Sequence, residues 1–206
     1  MSPFPDCTLI DCEQRSPEWF AHRKGTLTAS QFGDWLTKSG KVAEKARLTA
    51  ASRCLAEAVG FPDPSPYETD DMRRGTDLEP HALSAFNQQM DFMVDTIGFA
   101  KSIHGSFGCS PDGIMDNGEG VEIKCPRMSK LIQYIALDEL PDEYKAQVHG
   151  SMAVTGAKAW WFVAYHPASP LFVKLVERDQ YTEDMLAGLK AYHEYYQELS
   201  ELISQQ

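Results

Sequence analysis

Near the C-terminal end, Met185, Leu189, Tyr192, Tyr196, Leu199 and Ile203 recur at alternating spacings of four and three. That period predicts a helix over about Thr182 to Ile203, whose apolar stripe either packs on the core or meets another subunit. Upstream the period changes. Ala159 to Tyr165 is a short continuous apolar run suited to a buried strand, and Leu171 to Glu177 pairs with it after a turn at His166-Pro167. Asp142 to Val154 reads as a helix with Tyr144, Gln147 and Ser151 on one side. Met93 to Phe99 reads as a strand, followed by a hairpin of Phe107 to Met115 and Gly120 to Cys125.

The first third of the chain is predicted to be helical. Ser16-Pro17-Glu18 is a helix start: Ser as N-cap, Pro in the first position, and an acid at the positive end of the dipole. This helix carries Trp19, Phe20 and Arg23 and stops at Gly25. Thr28-Ala29-Ser30-Gln31 reads as a capping box that opens a second helix through about Thr37. Val42 to Val59 is a longer helix ended by Gly60, and residues 61–71, with Pro62, Pro64 and Pro66, form a loop. A further helix from about Met72 to Gln89 carries Leu78, Leu83 and Phe86 and places Glu79 in its first half. The order predicts an α/β fold, a central mixed sheet with helices on both faces. It forms one domain over 1–206: a helical part at about 12–71, a core at about 72–180, and a C-terminal helix at about 181–206.

The hairpin carries the chemistry. Asp116-Asn117-Gly118 is strong turn sequence, because Asn and Gly tolerate the positive φ that a primed turn needs. On the returning strand Glu122 and Lys124 share one face, while Val121, Ile123 and Cys125 share the other. Closing the hairpin brings Asp112 near Glu122 with an ammonium beside them. Two converging carboxylates make a hard-oxygen site for Mg²⁺ or Mn²⁺, and a lysine can hold or deprotonate an attacking water. The trio points to metal-dependent cleavage of a phosphodiester. The plain alternative for Glu122 and Lys124 is an exposed cross-strand ion pair; for Glu79 it is a solvated position on its helix.

Composition narrows the setting. With 43% hydrophobic and 24% charged residues the chain is an ordinary globular one, and its apolar segments are too short and interrupted for a membrane span. No signal peptide is legible at the N-terminus. Five scattered cysteines fit a reducing cytoplasm better than a disulfide framework, and Cys7 and Cys12 imitate only half of a metal site. The net charge of −11 argues against non-specific binding to a polyanion but leaves room for a local basic track. Arg15, Arg23, Lys24, Lys38, Lys41, Lys45 and Arg47 crowd the first quarter. Arg73 and Arg74 precede Glu79, and Arg127 and Lys130 follow Lys124.

Ser110-Pro111-Asp112-Gly113, followed by Glu122-Ile123-Lys124-Cys125-Pro126, resembles the PD-(D/E)xK nuclease core, and more narrowly the lambda exonuclease type of viral recombination exonuclease. The likeness is collinear over roughly residues 12–180. It includes Glu13 to Trp19, Arg23 to Ser30, Gly75-x-x-Leu78-Glu79, Ala146-Gln147-Val148 with Ser151-Met152, and the aromatic run ending in His166-Pro167. The resemblance implies a restriction-endonuclease-like core and a Mg²⁺-dependent 5′→3′ exonuclease, with Mn²⁺ able to substitute and two ions per site. It would digest one strand of linear double-stranded DNA from a 5′-phosphorylated end and leave 3′ single strands for recombination. A closed homotrimer around the duplex and a single-strand annealing protein as partner are implied as well.

Carried over by position, Asp112, Glu122 and the Ile123 carbonyl resemble the metal ligands. Glu79 would assist the second metal or its water, Lys124 would orient or activate the nucleophile, and Gln147 would sit beside the scissile phosphate. Arg23, Ser30 and Ser110 resemble the pocket for the 5′-terminal phosphate. Two of these have independent support in the residues. Ser30 falls at the second position of the helix capped by Thr28, where unpaired N–H groups favour a phosphate, and Arg23 can offer a bidentate fork. Simple capping for Ser30 and a surface ion pair for Arg23 are the plain alternatives. Lys130 stands where lambda exonuclease has an arginine near the DNA, so a point charge replaces a fork. Met72 stands where an apolar wedge separates the strands, although a core-facing Met fits the residue equally. Trp19 is a further candidate DNA contact. An endonuclease of restriction or resolvase type would share the trio, and a non-catalytic DNA-binding module is the other class.

Overall fold

A computed structural model describes residues 4–35, 44–64, 69–91 and 93–205, with only the backbone of Glu44. The predictions that fall on Thr37, Lys38, Lys41, Val42 and Pro66 lie outside the described residues. Among the described residues eight strands form two four-stranded sheets. The first contains β1 (Cys7–Ile10), β3 (Phe99–Ser102), β4 (Phe107–Cys109) and β2 (Leu27–Thr28), in that spatial order. The second contains β5 (Gly113–Ile114), β6 (Gly120–Lys124), β7 (Ala159–Ala164) and β8 (Phe172–Glu177). β6 and β7 run parallel, with Glu122 opposite Phe162, and β2 runs parallel to β4; the other pairings are antiparallel.

Helices cover both faces of the second sheet, as the pattern predicts. The helix α3 (Asp70–Met90) packs Ala82 and Phe86 with Val121, Ile123 and Val163. On the other face Trp160 and Phe162 meet Val148 and Met152 of α5 (Asp142–Thr155) and Leu131 and Tyr134 of α4 (Met128–Leu137). Residues 121 and 123 thus look one way and 122 and 124 the other, as the alternation requires. In α6 (Gln180–Ser204) Met185, Leu189 and Tyr192 are buried, Tyr196 and Leu199 pack at the core's edge, and Ile203 is exposed. The stripe is therefore core except at its last residue.

The helix starts are drawn as the caps dictate. Ser16 accepts from the Trp19 N–H to open α1 (Pro17–Arg23), and Gly25 takes a φ of +70° just beyond it. Thr69 caps α3, and α2 spans Glu44–Ala58. Several predicted elements need correction. The capping box is present, with Thr28 N–H donating to Gln31 Oε1 at 3.1 Å, but it opens a six-residue 3₁₀ helix, Ala29–Asp34. Gly33 weakens propagation there, and fully buried Phe32 fixes the turn against Gly150 of α5. The strand expected over Met93 to Phe99 begins only at Phe99; before it Asp95 makes one isolated bridge to Ile114, and the Ile97 carbonyl accepts from Gln14.

Phe107 to Met115 is not one strand. It breaks at Ser110-Pro111-Asp112, where proline supplies no N–H, and its two halves join different sheets. The hairpin turn closes with Gly118 N–H to the Met115 carbonyl at 3.0 Å and Met115 N–H to the Glu119 carbonyl at 2.9 Å. Gly118 takes φ +83° and Asn117 stays at negative φ, so this is a three-residue loop with a glycine bulge rather than a primed two-residue turn. The sequence pattern misses β1, β2 and α4. The first two are too short to carry a period, and α4 has no side-chain cap and exposes Ile132, Ile135 and Leu137 opposite its buried face.

Candidate active site

Asp112 and Glu122 meet across the β5–β6 hairpin. Asp112 Oδ2 accepts from the Ile123 N–H at 2.6 Å. Glu122, only 2% exposed, accepts at Oε1 from Lys124 Nζ at 2.5 Å and from Gln147 Nε2 at 2.6 Å. The pair is therefore not an exposed surface contact. Lys124 also sits 5.3 Å from the Tyr144 ring centre, so α5 supplies both Gln147 and an aromatic face. Gln147 lies beside Glu122, and its own carbonyl takes the Ser151 hydroxyl.

Burial and then repulsion from Glu122 and Glu79 push the Asp112 carboxyl well above its ordinary range, against the pull of Lys124 and the Ile123 N–H. Burial raises Glu122 too, with Lys124 opposing. For Lys124 burial works against the charge, but Glu122 and Asp112 outweigh it and the ammonium holds its proton more tightly than usual. The site thus contains a protonated lysine and two carboxyl groups that resist ionising together.

The donors fit a hard divalent cation. Asp112 and Glu122 converge, and the Ile123 carbonyl leaves its strand on the same edge as the N–H that Asp112 accepts. A cation there would offset the opposition between the two acids. Among the described residues no cluster of three or more His, Cys, Asp or Glu side chains gathers at metal-binding distance. A hard divalent cation such as Mg²⁺ takes one or two carboxylates and fills its sphere with water and substrate oxygens. Glu79 stands at the margin, 29% exposed, its Oε2 3.3 Å from Arg15 Nη2. It is paired rather than merely solvated.

Beside these groups opens a cleft of about 650 Å³. Its walls hold Arg15, Arg74, Lys124, Arg127 and Lys130 against the acids Asp71 and Glu79, a positive excess in a chain of net charge −11. Arg74 donates to the carbonyls of Cys125 at 2.8 Å and Pro126 at 3.4 Å, fixing the chain that leaves Lys124. Arg127 bonds Asp71 at 2.9 Å, and Lys130 bonds Glu143 at 2.6 Å. Met72 is 56% exposed on the cleft wall, so it is not a core residue.

A second polar group adjoins the first sheet. Ser110 Oγ accepts from Arg23 Nη1 at 3.1 Å and from Trp19 Nε1 at 2.9 Å. The Arg23 guanidinium lies 4.0 Å over the Trp19 ring, and burial draws its pKa down to about 10. Among the described residues Arg23 makes no ion pair with a carboxylate. Ser30 is exposed, 3.3 Å from the Thr28 hydroxyl. Because Thr28 is in register with Gly108, Ser30 and Ser110 each lie two residues beyond a paired position. Sequence reasoning gave no role to Gln14, whose Nε2 donates to the Pro111 carbonyl at 2.8 Å, nor to Tyr144, and it placed Arg74 in the basic track without its bonds to the Cys125 and Pro126 carbonyls. Gln14 lies inside the N-terminal block that carries the family likeness, and this was its one available signal.

The model of a YqaJ-like viral recombinase domain matches residues 18–158. The chain is similar to an alkaline exonuclease, LHK-Exo, from Laribacter hongkongensis, at 28% identity and a TM-score of 0.73 over 92% of this chain and 99% of that one. The same exonuclease in complex with dAMP gives a TM-score of 0.72. A phage-related exonuclease from Haemophilus somnus 129PT shares the fold at 14% identity and a TM-score of 0.60, over 87% of this chain and 96% of its own. No curated protein matches significantly. The fold is that of the PD-(D/E)xK nucleases, and the chain belongs to the YqaJ-like viral recombinase family, as a nuclease of the lambda exonuclease type.

Proposed function

We propose that this protein is a Mg²⁺-dependent 5′→3′ exonuclease that degrades one strand of linear duplex DNA from a 5′-phosphorylated end and leaves a 3′ overhang. The observation that carries the proposal is the two-residue separation of Ser110, gripped by Arg23 and Trp19, from Asp112, which faces Glu122 and Lys124. A terminal-phosphate grip and a hydrolytic centre are thereby built into one stretch of chain. Arg23, Ser110 and Ser30 bind the terminal phosphate, and Met72 and Lys130 contact the duplex at the cleft. Asp112, Glu122 and the Ile123 carbonyl hold the metal, with Glu79 serving a second ion. Bound there, Mg²⁺ supplies charge for the scissile phosphate and the leaving 3′ oxygen. Lys124, 2.5 Å from Glu122, orients or activates the attacking water, and Gln147 positions Glu122 beside the phosphate. Mn²⁺ has the same donor preference.

The similarity to an exonuclease bound to dAMP agrees with release of mononucleotides. The lambda exonuclease likeness supports a homotrimer encircling the duplex and a single-strand annealing protein that receives the 3′ strand. End-labelled linear duplexes bearing 5′-phosphate or 5′-hydroxyl, compared with covalently closed circles with and without Mg²⁺, test the proposal. Phosphate-dependent loss of the 5′-labelled strand is expected. Rapid cutting of the circles would make the protein an endonuclease of restriction or resolvase type.

A further inference from the structure

Arg15 has a backbone that its residue type rarely adopts. Its φ is +70°, in the left-handed region, where glycine costs nothing and a side chain is strained. The residue stands between Gln14, which bonds the carbonyl next to Asp112, and Ser16, which caps α1, so the turn is held from both sides. Its side chain is 52% exposed on the wall of the 650 Å³ cleft that also contains Lys124. Among the described residues its one ion pair is the 3.3 Å contact to Glu79. The other cations of that wall are engaged more closely: Lys124 at 2.5 Å, Lys130 at 2.6 Å, Arg74 at 2.8 Å and Arg127 at 2.9 Å. A strained, weakly committed guanidinium in a cleft is poorly explained as a stabiliser of the fold.

We propose that Arg15 binds a backbone phosphate of the DNA strand entering the cleft, and that Glu79 holds its guanidinium there until the phosphate arrives. This inference rests on the nuclease reading of the cleft. A planar fork suits a phosphodiester, and the exchange replaces a loose carboxylate contact with a charge-assisted phosphate contact. It also frees Glu79 to turn toward Asp112 and Glu122, the two carboxyl groups that its charge pushes up.

The variants Arg15→Gly and Arg15→Lys separate charge from backbone. Binding to a 5′-phosphorylated duplex is measured with Ca²⁺ in place of Mg²⁺, across a salt series, alongside thermal melting. Arg15→Gly relieves the left-handed strain, so its melting temperature should hold or rise while affinity falls roughly tenfold and the salt slope falls by about one. Arg15→Lys should keep most of the slope. An Arg15→Gly protein with unchanged affinity and slope overturns the inference and leaves the nuclease proposal standing. A wild-type protein that binds no duplex overturns both.

Discussion

Replacing Arg23 with Lys keeps the charge but removes the fork and its flat stacking surface. In the structure the guanidinium rests 4.0 Å over Trp19 and donates through Nη1 to Ser110 at 3.1 Å. An ammonium in its place loses part of a cation–π contact worth about 0.5–2 kcal/mol. It also loses one charge-assisted hydrogen bond to the terminal phosphate, worth about 1.5–3 kcal/mol. Allowing for partial compensation, the loss is about 2–4 kcal/mol, or roughly 30- to 700-fold in kcat/KM on a phosphorylated end. The decisive quantity is the ratio of kcat/KM for 5′-phosphate and 5′-hydroxyl duplexes, measured for wild type and Arg23→Lys under the same salt. The wild-type ratio should be large and the variant's should collapse toward one. A wild-type ratio near one, or a variant that keeps the wild-type ratio, refutes the assignment of the terminal-phosphate pocket to Arg23 and Ser110.

Asp112→Asn should abolish cleavage while DNA binding persists, and it should remove the thermal shift that saturating Mg²⁺ gives the wild type; at a hundredfold excess over Kd that shift corresponds to about 2.7 kcal/mol, roughly 5–11 °C. Persistent cleavage in this variant would remove Asp112 from the site. His149, buried against Thr182 Oγ1 at 2.7 Å, has its pKa lowered from 6.5, first by burial. The unfolded chain therefore takes up the proton before the native protein does. His149's contribution to stability is complete above about pH 6.5 and declines as pH falls below it. Urea midpoints at pH 7.5 and 5.5 should differ less in His149→Gln than in wild type; equal differences would contradict the burial account. Gly120→Ala should lower Tm by roughly 2–12 °C, because the new methyl would stand 2.3–2.5 Å from three ring carbons of Trp160, an overpacking cost of about 1–3 kcal/mol. A melting temperature equal to wild type would mean the ring yields freely.

The amino-acid pattern was most informative where side chains alternate against a packed face. Glu122 and Lys124 could be placed on one face of β6 because Val121 and Ile123 had to fill the other. The α6 stripe was legible for the same reason, and the Ser16 cap because its hydrogen bond to the Trp19 N–H is local in sequence. The break at Ser110-Pro111-Asp112 was not legible as a change of sheet, since whether β4 and β5 continue one sheet depends on partners distant in sequence. Pro111 signals an interruption without saying what lies on either side. Gln14 illustrates the other limit. A glutamine's amide suits many places, and its bonds to Ile97 and Pro111 span 83 and 97 residues. The Arg23–Ser110 contact spans 87 residues, and only the family likeness, not any local pattern, suggested it.

The two residues from Ser110 to Asp112 also have a metric meaning. Two residues of extended chain span at most about 7 Å, and neither bond rotation nor domain motion can lengthen that tether. If Ser110 seats the terminal phosphate and Asp112 addresses the next one, the covalent backbone is a ruler graduated in single nucleotides. Product size would then be set by the polypeptide itself rather than by how far the DNA slides. An insertion between Ser110 and Asp112 should change what is released before it changes whether cleavage occurs.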